Sequence, residues 1–231
     1  MNSLKRWKKR PLMIVNFKAY EKGVGDRAVE LALMCEKVAK KYEVNIGLAV
    51  QPADIARIAK KVRKCCVISQ HIDPIEFGAY TGHVHAKSVK DAGAIGTLIN
   101  HSEKRLKEGE VKECVRIARR FGLISIVCCG NLREVRKYLR FKPDVIAYEP
   151  PELIGTGISV SKAKPEVVKK AAELVKDETI LICGAGISSR KDVKKALELG
   201  TRGVLVASAI LLAKNRKRVL ESFAKEMGKW K

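Results

Sequence analysis

The sequence predicts a single-domain α/β protein that folds as a closed (β/α)8 barrel. Eight short apolar segments rich in β-branched residues occur in the 231 residues, and each is followed by an amphipathic helical segment or a helical turn. No linker and no shift in composition separates one part of the chain from another. Eight βα units in a chain of this length lie at the short end of the usual range for the barrel.

An open, doubly wound sheet is the structural alternative, because it also alternates strands with helices. Its main signature is Gly-x-Gly-x-x-Gly directly after the first strand. In this chain the segment Phe17-Lys18-Ala19-Tyr20 stands at that place. The closed barrel is therefore the favoured architecture.

Each predicted strand is a short apolar run, as expected for a parallel sheet that is buried on both faces. In chain order the predicted strands are residues 12–17, 46–50, 67–70, 95–99, 124–128, 145–148, 180–183 and 203–206. The predicted helices carry their apolar residues on one stripe, and they are residues 27–41, 111–121, 132–139, 165–176, 190–199 and 210–227. Pro165 suits a first helical turn and Gly200 suits a helix stop. Ser188 or Ser189 suits the cap before residue 190.

Composition indicates a globular protein with no membrane partner. The chain is 46% hydrophobic and 31% charged, and no apolar run approaches the roughly 20 residues of a membrane span. Residues 1–10 are basic and lack the apolar core of a secretory signal, so we expect a basic N-terminal extension before a barrel of residues 11–231. Seven cysteines without a Cys-x-x-Cys pair favour buried, reduced thiols. The predicted location is the cytoplasm.

The net charge of +22 arises from 47 Lys and Arg residues against 25 Asp and Glu residues. Three interpretations are open: a heat-adapted surface rich in lysine, attraction of an anionic substrate, or binding of nucleic acid. The cations are spread over many predicted helix faces, and aromatic residues make up only 5% of the chain. A specific nucleic-acid partner is therefore not favoured.

Chemically useful side chains stand where several predicted strands end. Catalytic groups of a (β/α)8 barrel lie at the carboxyl ends of its strands. A carboxylate at such an end is costly to desolvate unless it has a task or a partner. The residues at these ends are Asn16 and Lys18, His101, Glu149, Gly184 and Gly186, and Ala207 and Ser208. A cation, an imidazole, a carboxylate and two turns of small residues, which can offer N–H groups to a phosphate, thus converge on one rim.

The order of these segments resembles that of the triosephosphate isomerase family, and the compact archaeal-type branch in particular. The segments that carry the resemblance are Asn16-Phe17-Lys18, Gly78-Ala79-Tyr80-Thr81-Gly82, His101-Ser102-Glu103, Tyr148-Glu149-Pro150 and Gly155-Thr156-Gly157. Each motif is weak by itself, but their joint order covers nearly the whole chain. The resemblance implies the TIM barrel fold and the interconversion of dihydroxyacetone phosphate and D-glyceraldehyde 3-phosphate through an enediolate, in glycolysis and gluconeogenesis.

The resemblance also implies a role for each matching residue. Glu149 would move the proton between carbons, and His101 would polarise the carbonyl and move protons between the two oxygens. A glutamate base beside a neutral histidine is the known arrangement of this family. Lys18 would stabilise the enediolate, Asn16 would position Lys18, and Glu103 would pair with Lys18. A helix beginning near Ser102 would disfavour a charged His101 ring. Phosphate contacts would come from Gly155, Gly184, Gly186, Ala207 and Ser208, under a lid formed by the loop after Glu149.

The resemblance implies a homo-oligomer in which the loop containing Tyr80 and Thr81 completes the site of a neighbouring subunit, with a tetramer favoured and a dimer possible. It implies neither a metal nor an organic cofactor. His83 and His85 could share one strand face, but without a third ligand a loop or interface position is favoured over a metal site.

The sequence also departs from the family pattern. Ser208 stands where many relatives have glycine, Gly186 where many have serine, and Lys104 and His83 where many have arginine and glutamate. Two other hypotheses stay open at this point: a different phosphate-binding barrel enzyme, and a barrel that binds RNA or another polyanion.

Overall fold

Eight parallel strands close into a barrel in which each strand pairs with its neighbours in sequence. The structure is a computed structural model that describes residues 3–150, 165–175 and 179–230. The strands are β1 Leu12–Asn16, β2 Asn45–Val50, β3 Cys66–Ser69, β4 Gly96–Ile99, β5 Ile124–Cys129, β6 Val145–Tyr148, β7 Ile180–Cys183 and β8 Gly203–Val206. Closure brings Leu12 of β1 beside both Asn45 of β2 and Gly203 of β8. The predicted barrel is confirmed, and every predicted strand end lies within about one residue of the observed end.

The helices that surround the barrel are α1 Ser3–Lys9, α2 Gly25–Tyr42, α3 Ile55–Ala59, α4 Ala86–Asp91, α5 Glu108–Arg120, α6 Leu132–Leu139, α7 Pro165–Leu174, α8 Arg190–Glu198, α9 Ser208–Leu211 and α10 Arg216–Met227. Ser189 caps α8 by accepting a hydrogen bond from the N–H of Asp192, as expected for one of the two candidate serines. Helices α1, α3 and α4 are not predicted by the sequence pattern. Each has only five to seven residues, which is too short to display a helical period.

The single helix predicted at residues 210–227 is wrong, because the structure has two helices there. The short α9 ends at Leu211, and α10 begins at Arg216. The side chain of Asn215 accepts a hydrogen bond from the N–H of Arg218 at 2.9 Å and so starts a new helix. The sequence pattern bridged this break because both helices bury apolar residues on the same side.

The core has two layers, because successive side chains of a strand point to opposite faces. Met13 and Val15 of β1 pack with the helices in the outer layer. Leu12 and Ile14 point into the barrel and join the inner layer. All seven cysteines are buried and none is in a disulfide, in agreement with the expectation of reduced thiols. Burial raises the pKa of the Cys35 thiol to about 12.

Helix α1 lies against the amino-terminal end of the barrel. Its Trp7 is fully buried and belongs to the inner layer together with Leu12 and Ile14. The side chain of Asn45 donates to the carbonyl oxygens of Arg6 at 3.3 Å and Arg10 at 3.0 Å. The basic segment therefore packs as part of the barrel, and its predicted boundary at residue 10 falls between α1 and β1. None of the described helices is long and apolar enough to cross a membrane.

Candidate active site

The carboxyl ends of the strands surround a cavity of 440 Å³. The residues that line it are Asn16, Lys18, Tyr20, His101, Glu149, Gly184, Gly186, Ile187, Ser188, Leu205, Val206, Ala207, Ser208, Ala209 and Leu212. A cavity of this size suits a small polar molecule, since pockets for small ligands begin at about 300 Å³. A second cavity of 300 Å³ lies beside it and shares Asn16, Lys18 and His101.

Glu149 follows β6 directly and extends the barrel hydrogen bonding, since its N–H donates to Cys129 O at 2.8 Å. Only 5% of the residue is exposed. Its Oε1 lies 4.0 Å from Nε2 of His101, and its Oε2 has no hydrogen-bond partner among the described residues. Burial raises the pKa of the Glu149 carboxyl, although His101, Cys128 and Lys18 each act to lower it. A buried carboxylate with a free oxygen beside a cavity is suited to accept a proton.

His101 is held in one tautomer by the backbone of the next turn. The N–H of Glu103 donates to Nδ1 at 3.2 Å, so Nδ1 carries a lone pair and the ring proton sits on Nε2, the nitrogen nearer Glu149. The prediction of a helix beginning near Ser102 is wrong. Residues 101–104 form a hydrogen-bonded turn, and α5 begins only at Glu108. A single backbone N–H therefore selects the ring tautomer here.

Asn100 fixes the backbone that carries His101. It adopts a left-handed conformation with φ of 62°, which asparagine tolerates better than most residues. Its side chain donates to Cys128 O at 3.0 Å and accepts from the N–H of Leu106 at 2.9 Å. These bonds tie the end of β4 both to β5 and to the loop before α5.

Lys18 is also held in a left-handed conformation, with φ of 50°. Its N–H donates to Oδ1 of Asn16 at 3.0 Å, and its carbonyl accepts from the side chains of Gln51 at 3.2 Å and Gln70 at 3.0 Å. Its Nζ lies 2.6 Å from Oε1 of Glu103. The ends of three strands thus fix the backbone of Lys18. Its ammonium group extends to Glu103, which follows β4.

Small residues shape the opposite side of the cavity. A Cβ atom on Gly184 would lie 2.5 Å from Cγ of Glu149, so only glycine leaves room for that side chain. The N–H of Gly184 already donates to Tyr148 O at 2.9 Å. Gly186 has φ of 67°, a conformation that other residues rarely adopt. Ala207 precedes the short helix α9, whose first N–H groups have no partner inside the helix.

The cavity collects most of the residues predicted from the sequence. Asn16, Lys18, His101, Glu149, Gly184, Gly186, Ala207 and Ser208 all line it. Glu103 lines the neighbouring cavity, and Thr81 lies on an exposed turn, outside the lining of both. Gly155 and the rest of the predicted lid at residues 151–157 lie outside the described residues.

Sequence reasoning missed other residues of the site. Tyr20, Ile187, Ser188 and Leu212 line the main cavity, and Gln51 and Gln70 line the neighbouring one. The two glutamines directly follow β2 and β3, so their position at a strand end was an available signal. Tyr20 and Leu212 lie farther along their loops, and no local pattern distinguishes them.

The histidine pair weighed as a metal site does not gather further ligands. His83 Nδ1 lies 3.4 Å from Thr81 O, whereas the ring of His85 contacts the ring of Phe77 in a tilted arrangement, with centroids 4.5 Å apart. Within residues 3–150, 165–175 and 179–230, no group of three or more His, Cys, Asp or Glu side chains could hold a metal ion.

Comparison with known proteins gives one consistent result. A family model described as triosephosphate isomerase matches residues 11–225. The triosephosphate isomerase of Methanothermus fervidus is 48% identical over 221 residues, covering 94% of this chain and 99% of that protein. The triosephosphate isomerase of Saccharolobus solfataricus is 48% identical over 217 residues, covering 93% of this chain and 95% of that protein.

Among solved structures, the crystal structure of triosephosphate isomerase from Bartonella henselae superposes with a TM-score of 0.73. It covers 94% of this chain and 98% of that chain, at 22% sequence identity. At this identity the structural match supports the fold alone.

Proposed function

We propose that Glu149, His101 and Lys18 perform the reaction of the triosephosphate isomerase family, to which this chain belongs. The activity is the interconversion of dihydroxyacetone phosphate and D-glyceraldehyde 3-phosphate in glycolysis and gluconeogenesis. The single observation that carries the assignment is the Glu149 carboxylate. It is 5% exposed, its Oε1 lies 4.0 Å from His101 Nε2, and its Oε2 has no partner among the described residues.

Glu149 removes a proton from the carbon next to the substrate carbonyl, and the electron pair of that C–H bond forms the double bond of an enediolate. The carbonyl oxygen takes the negative charge. His101 gives its Nε2 proton to this oxygen and takes the hydroxyl proton from the oxygen on the neighbouring carbon. Glu149 then returns its proton to the carbon that carried the carbonyl, and the carbon that carried the hydroxyl becomes the new carbonyl, which turns the ketose into the aldose or the reverse. Burial favours this transfer because it raises the pKa of the carboxyl and so makes it a stronger base.

His101 and Lys18 stabilise the charge that develops on oxygen. The Nε2–H of His101 donates to the oxygen, and the hydrogen bond from the Glu103 N–H to Nδ1 keeps the ring proton on that side. The Lys18 ammonium adds a positive charge. The backbone of Lys18 is already fixed by hydrogen bonds to Asn16, Gln51 and Gln70. Little reorganisation is therefore needed when the enediolate forms.

The phosphate group lies on the side of the cavity formed by Gly186, Ala207 and Ser208. The left-handed backbone of Gly186 forms part of the cavity wall, and Ser208 and Ala209, whose N–H groups stand at the unpaired start of α9, also line the cavity. Gly155 would add a contact from the loop after Glu149. Gly184 contributes room for Glu149, since its own N–H is already bonded to Tyr148 O. The substrate thus spans the cavity from phosphate to carboxylate, and the reaction requires no cofactor.

A homo-oligomer would complete the site. Phe77 is 68% exposed and Tyr80 is 45% exposed, which is unusual for large apolar residues on a single loop. The cavity of 300 Å³ beside Lys18 and His101 is open to a loop from another subunit. A tetramer is the favoured assembly and a dimer is the alternative. Seven buried cysteines, none of them in a disulfide, support a reducing location such as the cytoplasm.

The test is a coupled assay of glyceraldehyde 3-phosphate isomerisation on the wild type and on Glu149→Gln. The variant keeps the shape of the side chain but cannot accept the proton, so we expect kcat to fall by about 10²–10⁴-fold. The matched control is Glu30→Gln, an exposed glutamate on α2, which should leave kcat unchanged. Full activity of a folded Glu149→Gln enzyme would overturn the assignment of the base.

A further inference from the structure

The amino-terminal end of the barrel carries cations that the isomerase reaction does not use. On α1, Lys5, Lys8 and Lys9 are exposed, while Trp7 of the same helix is fully buried in the inner core layer. Because the three lysines are spaced i, i+3 and i+4, they lie on one side of the helix. The buried tryptophan therefore fixes the direction in which these charges point.

A second group of cations adjoins α1. Lys60 and Lys61 are exposed in the loop between α3 and β3, and Lys64 is partly exposed. The guanidinium of Arg6 donates to Lys64 O at 3.2 Å, which ties α1 to this loop. We call Lys5, Lys8, Lys9, Lys60, Lys61 and Lys64 together the basic face.

Glu36 of α2 holds the loop that carries Lys60, Lys61 and Lys64 in place. The carboxylate of Glu36 accepts from the N–H groups of Lys64 at 3.0 Å and Cys65 at 2.9 Å. Burial acts to raise the pKa of Glu36, but these hydrogen bonds outweigh it and the pKa is lowered, so the carboxylate stays charged. Both halves of the basic face are thus pre-organised.

The lysines of the basic face are not neutralised by neighbours. Within the described residues, no carboxylate oxygen lies within 4.0 Å of any of the six ammonium groups. Some cations elsewhere on the surface do have partners: Arg116, for example, contacts both Glu76 and Glu113 at 2.6 Å. A fixed cluster of unpaired cations attracts a polyanion and releases its counterions on binding.

We propose that the basic face binds the phosphate backbone of double-stranded nucleic acid without sequence preference. The face offers ammonium groups on a helix about 10 Å long and on an adjoining loop, and a duplex presents one charge per about 1.7 Å of its axis. A membrane-binding helix would direct its aromatic residue outward, whereas Trp7 points into the barrel. Single-stranded nucleic acid is less suited, because neither α1 nor the loop exposes an aromatic ring for stacking.

This inference goes beyond the isomerase activity and does not depend on it, since the catalytic cavity lies at the opposite end of the barrel. It assigns a purpose to part of the +22 charge. If all six lysines contact phosphates, the plot of log affinity against log salt should have a slope of about −5, or about a 10³-fold loss of affinity between about 50 and 200 mM KCl.

The experiment measures the fluorescence anisotropy of a labelled DNA duplex of about 20 base pairs across this range of KCl. It uses the full chain and two variants. The first combines Lys5→Gln, Lys8→Gln and Lys9→Gln, and the second combines Lys60→Gln, Lys61→Gln and Lys64→Gln. The matched control removes the same charge from exposed lysines of α5 and α7 through Lys112→Gln, Lys169→Gln and Lys170→Gln. Isomerase activity reports whether each protein is folded.

We expect each basic-face variant to reduce the salt slope by about 3 and to keep full isomerase activity, while the control retains the wild-type slope. An equal loss in the control would show that net charge alone attracts the duplex and would overturn the proposal. Absence of duplex binding by the wild type at about 50 mM KCl would also overturn it. Co-sedimentation of the protein with vesicles of phosphatidylserine and phosphatidylcholine, without binding of the duplex, would overturn the proposal as well. If one variant fails to fold, the other still decides between these outcomes.

Discussion

At the scale of single residues, Glu149 shows how burial can favour chemistry and oppose stability at once. Removing the carboxylate from water raises its pKa, which makes it a better acceptor of a proton from carbon. The same desolvation makes the ionised form costly in the folded protein. The free energy of unfolding should therefore depend on pH in the range where the Glu149 carboxyl titrates.

We predict that Glu149→Gln stabilises the protein increasingly as pH rises above 4.5, the ordinary pKa of a glutamate. Between that value and the raised pKa of the folded state, the folded protein holds the proton more tightly than the unfolded chain. Wild-type stability therefore falls with rising pH in this window, by up to about 1.4 kcal/mol per pH unit, and the neutral glutamine has no such dependence. Thermal unfolding of both proteins between about pH 4 and 8, at one protein concentration, measures the difference. A difference that is constant over this range would contradict the prediction.

Gly184 tests how closely the position of Glu149 is controlled. Gly184→Ala would place a Cβ 2.5 Å from Cγ and 2.7 Å from Oε1 of Glu149, so the carboxylate must move. A displacement of about 1 Å can cost about 10²-fold in rate, and we expect a loss of kcat of this order in steady-state assays.

Gly109→Ala is the matched control for this substitution. Gly109 lies in α5 with no atom within 4 Å of an added Cβ, so activity should be unchanged and stability should rise by about 0.5–1 kcal/mol. Wild-type activity of Gly184→Ala would mean that the carboxylate tolerates displacement.

At the scale of elements, the strand ends are joined to one another by amide side chains. Asn16, Gln51 and Gln70 at the ends of β1, β2 and β3 all bond to the backbone of Lys18. Asn100 at the end of β4 bonds to the end of β5. The left-handed conformations of Lys18 and Asn100 persist because these neighbours hold them. Hydrogen bonds therefore join the strand ends that carry the proposed catalytic groups.

Helix α1 provides a prediction at the same scale. Trp7 is fully buried in the inner core layer, so Trp7→Ala should cost about 3–5 kcal/mol. In a chain of this length that loss lowers Tm by about 6–20 °C at fixed protein concentration. Lys8→Ala on the exposed side of the same helix is the control, and it should change stability by less than about 0.5 kcal/mol. Equal, small effects would show that α1 does not stabilise the barrel in solution.

At the scale of the whole molecule, the two ends of the barrel differ in chemistry. The carboxyl end gathers the proposed catalytic groups around a cavity of 440 Å³. The amino end is closed by Trp7 and carries the basic face. The loop with Phe77 and Tyr80 exposes large apolar groups, which points to assembly with further copies of the chain.

We predict that Thr81→Arg separates the subunits and lowers kcat by about 10²-fold, because the neighbouring subunit would no longer support Lys18 and His101. Sedimentation velocity and kcat, measured on the same samples, test both effects. Thr81→Ser keeps the hydroxyl and should leave assembly and activity intact. An active monomer of Thr81→Arg would show that the subunits do not complete one another's sites.

The sequence predicted the barrel with good accuracy, because each strand is an uninterrupted apolar run whose limits are local. It also predicted that Glu149, His101 and Lys18 converge, because in a barrel every strand end meets the same rim. It did not predict α3 or α4, since helices of five and six residues show little periodicity. The break between α9 and α10 was missed because both helices bury residues on the same side.

The fold class and the kinds of side chain at the strand ends were determined by the sequence itself, since both depend on neighbouring residues and on chain order. Only the tertiary structure decided that the ring proton of His101 sits on Nε2, that Gly184 leaves room for Glu149, and that Trp7 closes the barrel. Each of these depends on groups far apart in sequence or on the exact direction of one N–H. Such contacts exist only after the chain has folded, and no local pattern encodes them.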